Sequence, residues 1–324
     1  MDGRPAPLVP MPDWPWYGME DDLLPAIDRW QAAGLDIALA TLVKIEGTSP
    51  RPVGSEMAIA SNGECAGYVS GGCVEAAVVH AALDSMESGV PVLLDYGAGS
   101  PVIDLQLTCG GRIHVLVRPL HLPDAFLAEL RRARTTRRTV TVMTDRATGA
   151  WSVRDGAHRA PGGWFAKVVA PPLRLVVVGS DPVALAVLMQ AVAVGMEAVL
   201  VRPNGPAVPP PGISLAAYHG GQLAPALAAC RIDRRTAVYT FTHDDDQDDV
   251  ALSRAIEHGA FAAGALGSRH KTGLRRTRLA AAGYSRAAID ALHLPAGVKA
   301  PAVQGPRQIA ATIISEILCA APSE

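Results

Sequence analysis

Several things are scarce in this chain, and each scarcity removes a class of function. No run of 18 apolar residues is present, so no segment is built to cross a bilayer as a helix. The stretch Met1 to Gly18 mixes proline, tryptophan and acidic residues and lacks the charged-then-apolar order of a signal peptide. It reads as a flexible extension. Neither sign of charge dominates: 29 lysines and arginines face 31 acids, a net charge of −2. Such a balance gives no electrostatic reason to bind nucleic acid or an acidic membrane surface. Cysteine is sparse and odd in number, five residues with no C-x-x-C spacing. That excludes a zinc knuckle and a disulfide framework and points to thiols in a reducing cytoplasm.

Apolar residues are plentiful, at 49% of 324 positions, enough for two cores. Residues 19–170 form a first expected domain and 173–324 a second, with Pro171-Pro172 between them. In the first, a helix is predicted over Asp21–Ala33, closed by Gly34. Strands are predicted at Ile37–Ile45, Met57–Ala60, Cys65–Val69, Val90–Tyr96 and Arg112–Val117, and three short ones near 139–144, 151–154 and 164–169. A helix from Pro123 to Arg138 carries five arginines, which reads as a solvated face. The second domain alternates strand and helix throughout, the rhythm of a doubly wound parallel sheet.

One stretch organises the first domain: Ser70-Gly71-Gly72-Cys73-Val74-Glu75. An apolar strand runs into two glycines, and a helix follows. Adjacent glycines let the backbone turn and approach a ligand, and the first-turn N–H groups of a helix favour an anion. A cysteine there would be held toward thiolate. Two further loops flank it, Gly47-Thr48-Ser49-Pro50-Arg51-Pro52-Val53-Gly54 and Cys109-Gly110-Gly111-Arg112. Loops set on strand ends are where binding residues concentrate.

In the second domain the first strand leads into Gly179-Ser180-Asp181-Pro182-Val183-Ala184. A dinucleotide site needs G-x-G-x-x-G/A here, and Asp181 sits at the second glycine, adding a Cβ and a negative charge where the pyrophosphate belongs. Asp181 with Pro182 also suits a helix cap. The second strand ends in Arg202 rather than in an acid for the ribose hydroxyls. Binding of NAD(P) is therefore not expected. Two later loops hold better candidates. Thr242-His243-Asp244 follows one strand, and Gly267, Ser268 and Arg269 form an anion clamp at a helix start. The acids from Asp244 to Asp249 read as a solvated helix start.

Taken together, the ordered motifs resemble the XdhC/CoxI family of molybdenum-cofactor maturation proteins. The resemblance runs from about Leu24 onward through the Gly47–Gly54 loop, Gly71-Gly72-Cys73-Val74-Glu75, Cys109-Gly110-Gly111, Thr242-His243-Asp244 and Gly264-Ala265-Leu266-Gly267-Ser268-Arg269. It implies an N-terminal α/β domain followed by a Rossmann-like doubly wound parallel-sheet domain. It also implies a non-enzymatic chaperone that protects the sulfurated molybdenum cofactor, as molybdopterin or its dinucleotide form, and inserts it into a client enzyme of the xanthine dehydrogenase type. A cysteine desulfurase and a second copy of the chain are further expected partners, and the cytoplasm the expected location. Residues expected to hold the cofactor are Arg51, Ser70, Gly71, Gly72, Cys73, Glu75, Cys109, Gly110, Gly111, His243, Gly267, Ser268 and Arg269, with Cys73 and Cys109 near the molybdenum or its sulfur. The chain departs from the family pattern at Gly179-Ser180-Asp181-Pro182, around Arg202, and at Val303-Gln304-Gly305-Pro306, where a basic residue is missing. Three other readings stay open: an NAD(P)H-dependent oxidoreductase using His243, a sulfurtransferase acting through Cys73, and a degenerate structural partner.

Overall fold

The computed structural model describes residues 11–97, 99–100, 107, 110–120, 124–298 and 302–322. The chain divides into two compact units, Met1–Ala170 and Pro171–Glu324.

The first unit is built on β1 (Ile37–Glu46), whose first seven residues are all buried. Both faces of this strand are covered, which is why its apolar run is nearly continuous. Side chains alternate across a strand. Ala38, Ala40 and Leu42 therefore face Val78, Val79 and Ala82 of α2 (Glu75–Ser88). Ile37 and Leu39 face the opposite way, onto Ile27 and Trp30 of α1 (Leu24–Ala32) and Phe126 and Leu127 of α3 (Ala125–Thr135). The remaining strands are β2 (Glu56–Ala60), β3 (Cys65–Gly67), β4 (Val92–Gly97) and β5 (Arg112–Leu120). They pair in the order β3-β2-β1-β5-β4, antiparallel at every step. A separate three-stranded sheet follows, with β6 (Val140–Asp145) between β7 (Trp151–Asp155) and β8 (Trp164–Val169).

Two expectations change here. Residues 11–18 are not a loose extension, since Met11 and Tyr17 pack on the α2 core cluster; residues 1–10 lie outside the described residues. The α3 arginines are also more than a solvated face. Arg131 pairs with Asp28, and Arg134 with Asp22, so the row ties α3 to the α1 region.

The second unit carries five parallel strands in the order β11-β10-β9-β12-β13. They are β9 (Arg174–Gly179), β10 (Glu197–Val201), β11 (Ala217–His219), β12 (Thr236–Phe241) and β13 (Ala262–Ala265). One face packs on α4 (Pro182–Ala193) and α9 (Pro306–Ala320), the other on α5 (Leu223–Ala229), α6 (Asp245–Glu257) and α7 (Arg269–Ala281). Strands buried on both faces read as Leu-Val-Val-Val in β9, which is the doubly wound pattern expected from the sequence. The order reverses between β9 and β12, so the loops after those strands open a crevice at their carboxyl ends. A five-residue helix, α8 (Arg286–Asp290), follows α7. Among the described residues, no helix is long and apolar enough to cross a membrane.

Candidate functional site

In the first unit three loops meet. Gly71 and Gly72 adopt φ of +95° and +105°, which side-chain-bearing residues rarely accept, and their N–H groups turn inward. The group they turn toward is the carboxylate of Glu75. One oxygen accepts from the N–H of Val69 (3.2 Å), Ser70 (2.8 Å) and Gly71 (3.2 Å). The other accepts from Gly72 (2.9 Å), Val74 (3.2 Å) and the Ser70 hydroxyl (2.7 Å). The Ser70 oxygen in turn accepts from the N–H of Cys73 at 3.1 Å. Glu75 is 1% exposed and Ser70 2%.

This corrects the expectation that the Gly71-Gly72 turn holds an external anion. The turn does present converging N–H groups, but the chain's own carboxylate already takes them. Ser70, Gly71, Gly72 and Glu75 therefore act as a closed brace that fixes the loop carrying Cys73. Cys73 itself precedes the helix rather than opening it, and it is half-buried against the α2 core cluster.

The other two loops pack on this brace and on each other. A Cβ on Gly71 would lie 3.3 Å from Pro50 Cγ, so the Gly47–Gly54 loop lies directly against the turn. Arg51 donates to Asp21 at 2.9 Å and stacks its guanidinium 4.5 Å from the centre of the Tyr68 ring. Part of its guanidinium is thus partnered within the protein, while its Nε is buried without an acceptor. Gly111 is the third contact. A Cβ there would come 2.0 Å from the Thr48 carbonyl oxygen, so only glycine lets these two loops touch. Gly110 is exposed beside it. Cys109 lies outside the described residues.

Two residues near the brace were not legible in the sequence. Cys65, on β3, is held by burial with its thiol pushed up to about 11, the Glu75 and Glu64 carboxylates adding to the effect. The Tyr17 hydroxyl is pushed up by burial, then by Glu75 and Cys65. Cys65 stands ten residues before Glu75 and Tyr17 comes from the N-terminal stretch; no motif spacing links them.

The second unit presents a cleft of about 530 Å³ at the carboxyl ends of β9, β10 and β12. Arg202 and His243 bring positive or titratable side chains to it, Asp181 and Asp244 carboxylates. Both acids cap helices. Asp181 accepts from the Ala184 N–H at 2.7 Å at the start of α4, and Asp244 from Asp246 (3.0 Å) and Gln247 (3.2 Å) at the start of α6. The two helix ends that would face a dinucleotide pyrophosphate are closed by negative charge, which argues against NAD(P).

Gly267 and Ser268 do not line this cleft. The Ser268 hydroxyl caps α7 by accepting from Lys271 N–H at 3.2 Å; the Arg269 side chain is outside the described residues. The acidic run is not wholly solvated either. Asp248 is 2% exposed and takes hydrogen bonds from the Thr240 and Thr242 hydroxyls and from Arg275, itself 1% exposed. Burial pushes its carboxyl up, against the pull of the threonines and Arg275. Among the described residues no group of three or more His, Cys, Asp and Glu is arranged to hold a metal ion.

Comparison with known proteins agrees with this architecture. Residues 30–97 match the model of the XdhC and CoxI family, and residues 175–317 that of the XdhC Rossmann domain. An Escherichia coli (strain K12) protein named molybdenum cofactor insertion chaperone PaoD is 32% identical over 289 residues, spanning 88% of this chain and 83% of that protein. The uncharacterized protein YqeB of the same organism is 25% identical over 285 residues; the match takes in 87% of this chain but 43% of that longer protein. A crystal structure described as a xanthine dehydrogenase from Bacillus halodurans superposes with a TM-score of 0.72, covering 92% of this chain and 95% of that one at 20% identity, a likeness of fold. Two family models in the right order, one on each unit, and a relative matched over most of its length place this chain in the XdhC and CoxI family.

Proposed function

We propose that this protein is a molybdenum-cofactor chaperone, which holds the sulfurated cofactor and passes it to a client enzyme of the xanthine dehydrogenase type without itself catalysing a reaction. The observation that carries the reading is the fixed loop: six donated hydrogen bonds to Glu75 hold the Cys73 backbone in place beside the Gly47–Gly54 and Gly110-Gly111 loops. Its support from kinship is the relative named as an insertion chaperone.

The fit to the cargo is uneven, and usefully so. A soft thiol suits molybdenum or its sulfido ligand, and Cys73 provides one on a rigid loop; in sequence Cys109, next to Gly110, is the second thiol of the proposal. The turn's N–H groups do not suit a phosphate, because Glu75 fills them. In the second unit Arg202 is exposed on the wall of the large cleft, where a phosphate would meet it and His243. The two units are separate candidates, the first for the metal end and the second for a phosphate. Whether the cofactor is plain molybdopterin or a dinucleotide then turns on Asp181 and Asp244, whose charges favour the form with fewer phosphates. A second copy of the chain and a cysteine desulfurase belong to the same proposal, as does action in the cytoplasm.

The test is retention of released molybdenum cofactor by the purified protein after anaerobic gel filtration, with bound molybdenum and oxidised pterin both assayed. Near-stoichiometric retention is expected for the wild type, loss of most of it for Cys73→Ala, and partial loss for Arg202→Ser. Absence of both molybdenum and pterin from folded wild-type protein would overturn the chaperone reading. Full retention by Cys73→Ala would overturn the thiol assignment alone.

A further inference from the structure

The strand β5 begins at the Gly111 loop and ends somewhere else. Six residues beyond Arg112, roughly 20 Å along the strand, Arg118 enters a second cleft in the first unit, of about 260 Å³. The helix α2 makes the same journey, from the Glu75 brace at its start to Gly89 at the rim of this cleft. The cleft is therefore distinct from the loops that carry Cys73.

Arg118 is the anomaly that gives the cleft its meaning. It is 5% exposed, and among the described residues its Nη2 is buried with no hydrogen-bond acceptor. Its guanidinium stacks 4.3 Å from the centre of the Phe126 ring. That contact satisfies the cation's face but leaves Nη2 without an acceptor, and burying an unpartnered donor of a cation is unfavourable. Burial accordingly holds its pKa below the ordinary arginine value, with Glu56 and Asp124 acting against this from a distance. Both acids are engaged elsewhere: Glu56 with Lys167 at 2.6 Å, and Asp124 as the cap of α3, accepting from Phe126 N–H at 2.7 Å.

The surroundings are built closely around it. Gly149, at φ +68°, sits where a Cβ would lie 2.7 Å from Pro91 Cγ and 3.7 Å from Arg118 Cβ, so the β6–β7 turn closes onto both. Trp151, Pro91 and Pro119 supply apolar wall.

We propose that this cleft is a binding site for a small organic acid, whose carboxylate takes the unpartnered Nη2 of Arg118 and whose apolar body lies against Trp151, Pro91 and Pro119. A planar carboxylate matches a guanidinium two oxygens to two N–H groups. Asp124 and the carbonyl end of α2 add negative charge at the rim, which disfavours a dianion such as phosphate. The volume limits the guest to the space of about eight waters, at roughly 30 Å³ each.

The experiment titrates the full-length protein with benzoate and with inorganic phosphate, following tryptophan fluorescence, and repeats both titrations on Trp151→Phe to show which signal comes from the cleft. Saturable binding of benzoate is expected in the wild type, with phosphate at least tenfold weaker. Arg118→Lys, which keeps the charge and loses the fork, is expected to weaken benzoate at least tenfold, and Arg118→Gln to abolish it. Should Arg118→Gln not fold, Arg118→Lys and the wild-type comparison still decide the matter. No saturable benzoate response in the wild type, or equal affinity in Arg118→Lys, would mean that Arg118 only packs on Phe126. Phosphate binding more tightly than benzoate would overturn the assignment of a single-charged guest.

Discussion

Removing the Glu75 carboxylate is the sharpest test of how the Cys73 loop is held. Six hydrogen bonds converge on its two oxygens, and the donors are not equivalent. Gly71 and Gly72 are exposed and can turn to water, whereas Val69, Ser70 and Val74 are buried at 2% exposure or less and cannot. A buried donor stripped of its acceptor costs about 1–3 kcal/mol. Four such donors, Ser70 giving both its N–H and its hydroxyl, with some relaxation of the loop and with Val74 N–H still able to reach the Ser70 oxygen, put Glu75→Ala at about 3–5 kcal/mol. Glu75→Gln keeps one oxygen but turns an amide NH2 toward three donors, and about 2–3 kcal/mol is expected. The readout is native-state hydrogen exchange at the Val69, Ser70 and Val74 amides together with urea denaturation. At 1.4 kcal/mol per decade, Glu75→Gln is expected to speed exchange at these amides by roughly 30-fold or more. Added formate should partly restore protection in Glu75→Ala, because the emptied turn still offers its N–H groups. If Glu75→Gln exchanged like the wild type and lost less than about 0.5 kcal/mol, the carboxylate would not be closing the turn. The N–H groups would then be available to an outside anion after all.

Two other expectations follow from buried groups. Arg275→Leu leaves Asp248 buried with its charge unmatched, so it is expected to lower stability by about 3–5 kcal/mol in denaturant titration. The double change with Asp248→Leu should recover much of that loss, and a double variant no better than the single one would show that the ion pair is not the source. Burial pushes the Cys65 and Cys230 thiols from an ordinary 9.0 to about 11, so their thiolate fraction near neutral pH falls about 100-fold. Both are expected to alkylate with iodoacetamide at least that much more slowly than the exposed Cys319, followed residue by residue by mass spectrometry. Because the folded-state values are the higher ones, the stability these neutral thiols contribute is complete below pH 9 and is lost as pH rises toward 11. Comparable alkylation rates at all three positions would refute it.

The second unit was the more legible of the two. Its strands are short apolar runs separated by amphipathic stretches, and parallel pairing through helical crossovers leaves little choice of architecture. Two short elements lack such a mark: β11, whose three residues, Ala217-Tyr218-His219, are half-buried at the sheet edge after a proline-rich loop, and the five-residue α8. In the first unit each strand could be found but not its neighbours. Pairing β1 with β5 joins residues as far apart as Ile37 and Leu120, and nothing in local periodicity records that. The site shows the same division. Glycine and proline mark where the three loops are, because a positive φ or a close approach leaves a mark in composition. What satisfies the loops leaves none. Glu75 reads as an ordinary acid in the first turn of a helix, and only the coordinates turn its side chain back over the residues before it.

That blind spot has one physical origin, repeated across the fold. At α2 the Glu75 carboxylate takes the N–H groups of the turn before the helix, and three further helix starts are capped from within: Asp181 at α4, Asp244 at α6 and the Ser268 hydroxyl at α7. Each is a good cap, and a cap and a bound phosphate compete for the same N–H groups. In a dinucleotide-binding protein the competition is resolved for the phosphate by glycine, which offers no side chain of its own. Here carboxylates and a hydroxyl resolve it for the protein. A ligand of this chain must then be gripped by side chains that keep donors in hand, not by the backbone. Arg118 is buried with its Nη2 unpartnered, and Arg202 is exposed on a cleft wall. Those two guanidinium groups are placed to do so.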